Sequence, residues 1–146
     1  MKTKHIIVAA SIACAALTTS YNGRADIVTD WNQTAETVIR TASTPPPPQP
    51  IQVRALATVN AAIYDAVNGI ARKYQPYLVT DTAPPGARRE AAAAQAAYTT
   101  LKGLFPAQSA LLDKKLAESL ASIPGDKRKS HSIARGRAWG ERSYRR

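Results

Sequence analysis

The stretch "ARREAAAAQAAYTTLKGLF", residues 87–105, limits what this chain can fold into more than any other. Alanine has the strongest helix preference of any residue, yet its side chain removes little apolar area from water. A helix built on it forms readily and then has to lie very close to its neighbours to bury anything. From Asp26 onward, Leu, Ile, Val and Phe together make only 22 of 121 residues, or 18%. That is slightly under the level of about 20% below which a charged chain struggles to fold. No strand-like alternation and no repeat of 20–50 residues competes with helix. The expected fold class is all-α: about five helices in an Ala-rich bundle with a thin core.

Helical spacing places the elements. Ile27, Trp31, Ala35, Val38 and Ile39 share one face of a helix over residues 26–42, with Asp26 and Asp30 in its first turns. "STPPPPQP" ends it, because proline cannot continue a helix and biases its predecessor toward extended backbone; the run reads as a short stiff connector. A second helix over 51–68 carries Val53, Leu56, Val59 or Asn60, Ile63 and Val67 on a stripe widened by Ala57, Ala61, Ala62 and Ala66. Its breadth predicts the central position, and Gly69 suits the left-handed residue that closes a helix. Tyr74, Tyr77 and Leu78, in the connection that follows, are expected to fold back onto the helices. The alanine run is a third helix, ending near Gly103 and Pro106. A fourth presents Leu112, Leu116, Leu120 and Ile123 as a stripe and stops at Pro124-Gly125. A fifth starts at Asp126, a good N-cap, and spaces Ser132, Gly136 and Gly140 four apart, a small-residue face that admits another helix closely.

The first residues read as an export signal. Lys2, Lys4 and His5 precede an apolar run from Ile6 to Leu17 that is too short to span a bilayer, and Gly23-Arg24-Ala25 offers small residues before a cut ahead of Asp26. Cleavage after Ala25 is expected, with a periplasmic or extracellular product; the competing lipoprotein cut before Cys14 meets Ser11 where leucine is usual. Cys14 is the single cysteine, so a chain starting at Asp26 has no disulfide and no cysteine chemistry. The formal charge of +10 is uneven. Residues 26–125 hold nine basic and eight acidic groups, whereas residues 126–146 hold eight basic groups against Asp126 and Glu141. The excess belongs to the C-terminal stretch and implies weak, nonspecific anion binding rather than specific recognition of nucleic acid.

Candidate chemistry is sparse. Tyr64 and Asp65 sit together in "NAAIYDAVNGI", but one carboxylate without a base, metal set or nucleophile makes no mechanism, and a packing role is expected. Asp26 and Asp30 share a helical face, yet a two-carboxylate calcium site would lack most of its oxygen ligands; first-turn stabilisation of the helix dipole is expected instead. Lys127, Arg128, Lys129, Arg135 and Arg137 offer a phosphate or anionic-membrane surface with Trp139 and Tyr144 as interfacial anchors, against a plain solvated basic helix, which is the expected reading.

"RALATVNAAIYDAVNGI", Arg54 to Ile70, preceded by "DWNQTAETVIR" and "TPPPP" and followed by "AAAAQAAYTTLKGLFP", resembles the N-terminal helices of the vanadium-dependent haloperoxidases and their relatives in the type-2 phosphatidic acid phosphatase superfamily. The resemblance runs from about Asp26 to Glu141 and rests on word order and composition. It implies an exported phosphoesterase-like or haloperoxidase-like parent. In that family a Lys, an Arg-Pro step, a Ser-Gly-His loop and a further Arg and His hold phosphate or vanadate, stabilise the oxyanion and supply a histidine nucleophile or metal ligand. This sequence has no Arg-Pro and no Gly-His step, carries one histidine after residue 25, His131, and has Asn60 where family members often have His. No catalytic, cofactor-binding or metal residue is therefore carried over, and vanadate or phosphate is implied for a full-length relative only. Relatives continue past "SIARGRAWGE" with apolar residues into a catalytic half, whereas here Arg142-Ser143-Tyr144-Arg145-Arg146 follows; an aberrant basic end from truncation or frame-shift is the expectation. Without that half, the stripe over 53–67 and the Ser132, Gly136, Gly140 face are expected to lack part of their cover, favouring a missing partner or self-association. The alternative is a small secreted helical binding protein using its basic tail or an exposed apolar face.

Overall fold

A computed structural model describes residues 26–81, 83, 86–125 and 127–145. The expected export signal of residues 1–25 and the expected N-cap Asp126 lie outside the described residues. Five helices follow in order: α1 (Ile27–Arg40), α2 (Gln49–Ala71), α3 (Arg89–Leu104), α4 (Ser109–Ala121) and α5 (Lys127–Tyr144), with a 3-10 turn at Pro106–Gln108 before α4. Among the described residues there is no strand, so the chain is all-α.

The central element is α3, which packs against each of the other four helices; the breadth of the α2 stripe had pointed to α2. Ala91 to Ala97, Thr100 and Leu101 are all buried, so α3 is covered nearly all round. A helix with methyl groups on every side can be approached by several backbones at once, which a leucine-bearing stripe forbids. The same logic turns α2: its buried face runs through Ala55, Val59, Ala62, Ile63 and Ala66, while Val53 is 60% exposed. Two cores result. Trp31, Ala35, Val38 and Ile39 of α1 meet Ala55, Val59 and Ile63 of α2, Ala93, Ala94, Ala97 and Leu101 of α3, and Leu112 of α4. A smaller cluster joins Ala62, Ala66, Val79, Ala83, Ala92 and Ala96 to Trp139 of α5.

The small-residue face of α5 has its partner inside the chain, contrary to the expectation that it would lack cover. A Cβ added to Gly136 would stand 2.5 Å from the Ala92 carbonyl oxygen, and one on Gly140 would stand 2.8 Å from that of Ala96. Ser132 completes the row: its hydroxyl accepts the Arg88 N–H at 2.7 Å and donates to the Arg128 carbonyl at 2.7 Å. Helix α5 also continues past the expected boundary at Glu141. Ser143 is buried and the Tyr144 ring lies where a Cβ on Gly103 would be, 2.7 Å away, so the residues set apart as 142–146 are folded into the bundle through Tyr144.

Gly69 does not close α2. The helix runs on to Ala71, and Arg72 takes the left-handed backbone at φ 52°, its N–H donating to the Asn68 carbonyl. Gly69 instead makes room for the indole of Trp139, whose Cζ2 would lie 2.7 Å from an added Cβ. Helix α1 stops at Arg40, two residues before the expected end, and the bond between Thr44 and Pro45 in the connector is cis. On α4 Leu112 is buried, as is Ile123 just beyond its end, but Leu116 and Leu120 are half-covered, the mark of a helix packed at the edge of the bundle.

Candidate functional site

Asp65 is the most deeply buried carboxylate among the described residues, 1% exposed, and its surroundings show what it does. Its Oδ1 accepts the Tyr77 N–H at 2.7 Å, and its Oδ2 accepts those of Leu78 at 2.7 Å and Val79 at 2.9 Å. Backbone N–H groups of an irregular segment have no helical partner and must be satisfied when covered. One carboxylate supplies three of them. Three positions further on, Asn68 brackets Tyr74, accepting its N–H at 2.9 Å and donating to its carbonyl at 2.7 Å. The Tyr64 hydroxyl donates to the Gln75 carbonyl at 2.8 Å. Ala83 N–H to Gly69 O, at 3.1 Å, and Arg72 Nη2 to Ala83 O, at 3.2 Å, finish the clasp. Tyr64, Asp65 and Asn68 therefore act together as the fastener of the α2–α3 connection. Leu78 and Val79 turn inward, whereas Tyr74 and Tyr77 are each 71% exposed and do not fold back onto the helices.

Asp26 and Asp30 line a cleft of about 440 Å³ between α1, the start of α3 and α4, joined by Glu90, Glu118 and Lys115. Asp30 lies in the first turn of α1, while the Asp26 side chain makes no capping bond. No group of three or more His, Cys, Asp or Glu is placed to hold a metal ion among the described residues.

The basic residues of α5 divide into two sets. Lys129 donates to the Leu120 and Ile123 carbonyls at 2.6 and 3.1 Å, satisfying the open end of α4. Arg142 pairs with Asp81 at 2.7 Å, and Arg135 approaches the same carboxylate at 3.9 Å. Arg128 lies against Gly86. Lys127, His131 and Arg137 face solvent. Trp139 is 1% exposed, so its indole is not at the surface where a membrane anchor would stand; it fills the space left by Gly69, while Tyr144 is half-covered. No described helix is long and apolar enough to cross a membrane.

A polar cluster that sequence reading missed joins α3 to α4. Lys102 Nζ donates to Asp113 Oδ1 at 2.7 Å and to the Tyr98 hydroxyl at 2.6 Å, and Tyr98 donates to the same Asp113 oxygen at 2.6 Å. Tyr98 and Lys102 stand four apart on one helix, but Asp113 reaches them only across a tertiary turn. The Lys102 ammonium, with Tyr98, holds the Asp113 carboxyl below its ordinary range; Asp113, then Tyr98, raises Lys102. The carboxylate's contribution is present above the ordinary carboxylate pKa and lost as pH falls through the depressed one. The lysine's is present below the ordinary lysine pKa and lost as pH rises through the raised one. Both groups are well exposed, so the effect is small. The melting temperatures of the wild type and Asp113→Asn are expected to differ slightly at neutral pH and to converge in acid. A gap unchanged below the carboxylate range would show that Asp113 acts without its charge.

No protein-family model matches the chain, and no curated protein or solved structure matches it.

Proposed function

We propose that this chain is the N-terminal helical scaffold of an exported phosphoesterase related to the vanadium haloperoxidases and type-2 phosphatidic acid phosphatases, holding no catalytic group of its own. The observation that carries the reading is the triple acceptor role of Asp65: the most chemistry-like residue of the family-like stretch is consumed in binding backbone. The order of elements supports it too, with a tryptophan-bearing helix, a proline connector and the long "AIYDAV" helix packed in sequence. Toward its start α2 leaves Ile51 53% and Val53 60% exposed, apolar positions suited to cover by a catalytic half.

The test is direct. The purified chain is expected neither to oxidise bromide with vanadate and peroxide nor to release phosphate from an aryl phosphate, because the oxyanion-binding groups of the family are missing from its sequence. Turnover that survives purification and disappears with a single substitution in this chain would overturn the reading. The solvent-facing Lys127 and Arg137 favour a second reading, a secreted binding protein that holds polyanions through screened charge. Binding of that kind weakens steeply with salt and ignores sequence.

A further inference from the structure

A cleft of about 420 Å³ opens between α1, the second half of α2, the connection after it and the start of α3. Its size falls in the range of small-molecule sites, about 300–1,000 Å³. Val28, Ile63 and Val67 form an apolar floor, and Tyr64 and the largely exposed Tyr74 also line the cleft. The charged residues that line it are both cations, Lys73 and Arg89. Neither takes part in an ion pair among the described residues.

The rim is held in place rather than loose. Asn68 bonds both backbone groups of Tyr74, and the Tyr64 hydroxyl is tied to Gln75, so the Tyr74 backbone and the Tyr64 ring are positioned before anything binds. Arg89 is anchored by its backbone at the first position of α3. Asn60, whose amide donates to the Leu56 carbonyl, also lines the cleft. Apolar floor, the tethered Tyr64 ring and two cations at the edge are complementary to one kind of molecule: a flat apolar body carrying a single negative head.

We propose that this cleft binds an amphipathic organic anion, an aromatic carboxylate of one or two rings, with its ring over Ile63 and Val67 and its carboxylate between Lys73 and Arg89. The guanidinium offers paired donors that match a carboxylate's two oxygens, and the ammonium adds charge. The acidic cleft lined by Asp26, Asp30, Glu90 and Glu118 repels the same molecule, so the full chain has an internal control. The inference does not rest on the scaffold reading and stands or falls separately.

The test titrates isotopically labelled full chain with 2-naphthoate and follows backbone amide shifts, alongside the neutral 2-naphthylmethanol. Saturable one-to-one binding is expected, with the shifts centred on Ile63, Val67 and Lys73. The alcohol and the Lys73→Gln/Arg89→Gln variant are each expected to bind about tenfold more weakly, since rim charges act through partly screened contacts. Both substituted residues are exposed, and an unchanged far-UV circular dichroism spectrum confirms that the variant is folded. Shifts that do not saturate, shifts centred on Lys127 and Arg137, or equal affinity for acid and alcohol would each overturn the proposal. So would a charge-removed variant that binds as well as the wild type.

Discussion

Gly136→Ala is expected to destabilise the protein by about 2–3 kcal/mol, although alanine is the better helix former by about 1 kcal/mol. The added methyl would lie 2.5 Å from the Ala92 carbonyl oxygen and 2.8 Å from the Gln95 Cβ, distances real contacts do not reach. Side chains can swing away from an intruder; a helix backbone in the middle of the bundle cannot. Helix α5 would have to lift off α3, loosening Trp139 from its place beside Gly69. Adding Gly140→Ala, whose methyl meets Thr99 at 2.7 Å and the Ala96 carbonyl at 2.8 Å, is expected to raise the loss to about 5 kcal/mol. That is comparable to the whole stability of a small domain. Gly125, with nothing within 4 Å of an added Cβ, is the control, and Gly125→Ala is expected to be neutral. Urea midpoints by circular dichroism decide it. A neutral Gly136→Ala would mean that the α3–α5 contact is not as close as described.

Asp65→Ala is expected to cost about 3–5 kcal/mol. Bonds to a charged acceptor contribute about 1.5–3 kcal/mol each in favourable settings, and the buried Val79 N–H would be left with no acceptor. The loss should be local at first, since the residues released are those of the α2–α3 connection. Amide hydrogen exchange at residues 77–79 is therefore expected to rise before the rest of the molecule does. Asp65→Asn keeps the shape and one oxygen but turns a donor toward backbone donors, and about 2 kcal/mol is expected. If Asp65→Ala left both the melting temperature and this exchange unchanged, the clasp would not be what holds the connection down.

Local preference and spacing were enough to read the helical content, the order of the five elements and the inward face of α1, because each rests on residues three or four apart. Gly136 and Gly140 were legible as a close-contact face for the same reason, though not their partner. The centre of the bundle was not legible. Hydrophobic stripes favour α2, and only tertiary packing shows that the alanines of α3 admit more neighbours than any leucine stripe. The role of Gly69 was misread on the same ground: a glycine near a helix end suits a cap, and nothing within a few residues announces a tryptophan 70 positions away. The Lys102–Tyr98–Asp113 cluster and the cleft edged by Lys73 and Arg89 join residues from separate helices, so no periodicity reveals them. What the sequence determined by itself was the all-α class, the order of the helices and the inward face of α1, all set by composition and short-range spacing. What the tertiary structure alone decided was which helix is central, what Asp65 holds, and where Lys73 and Arg89 meet an apolar floor, since each depends on which distant backbones come within a few ångströms.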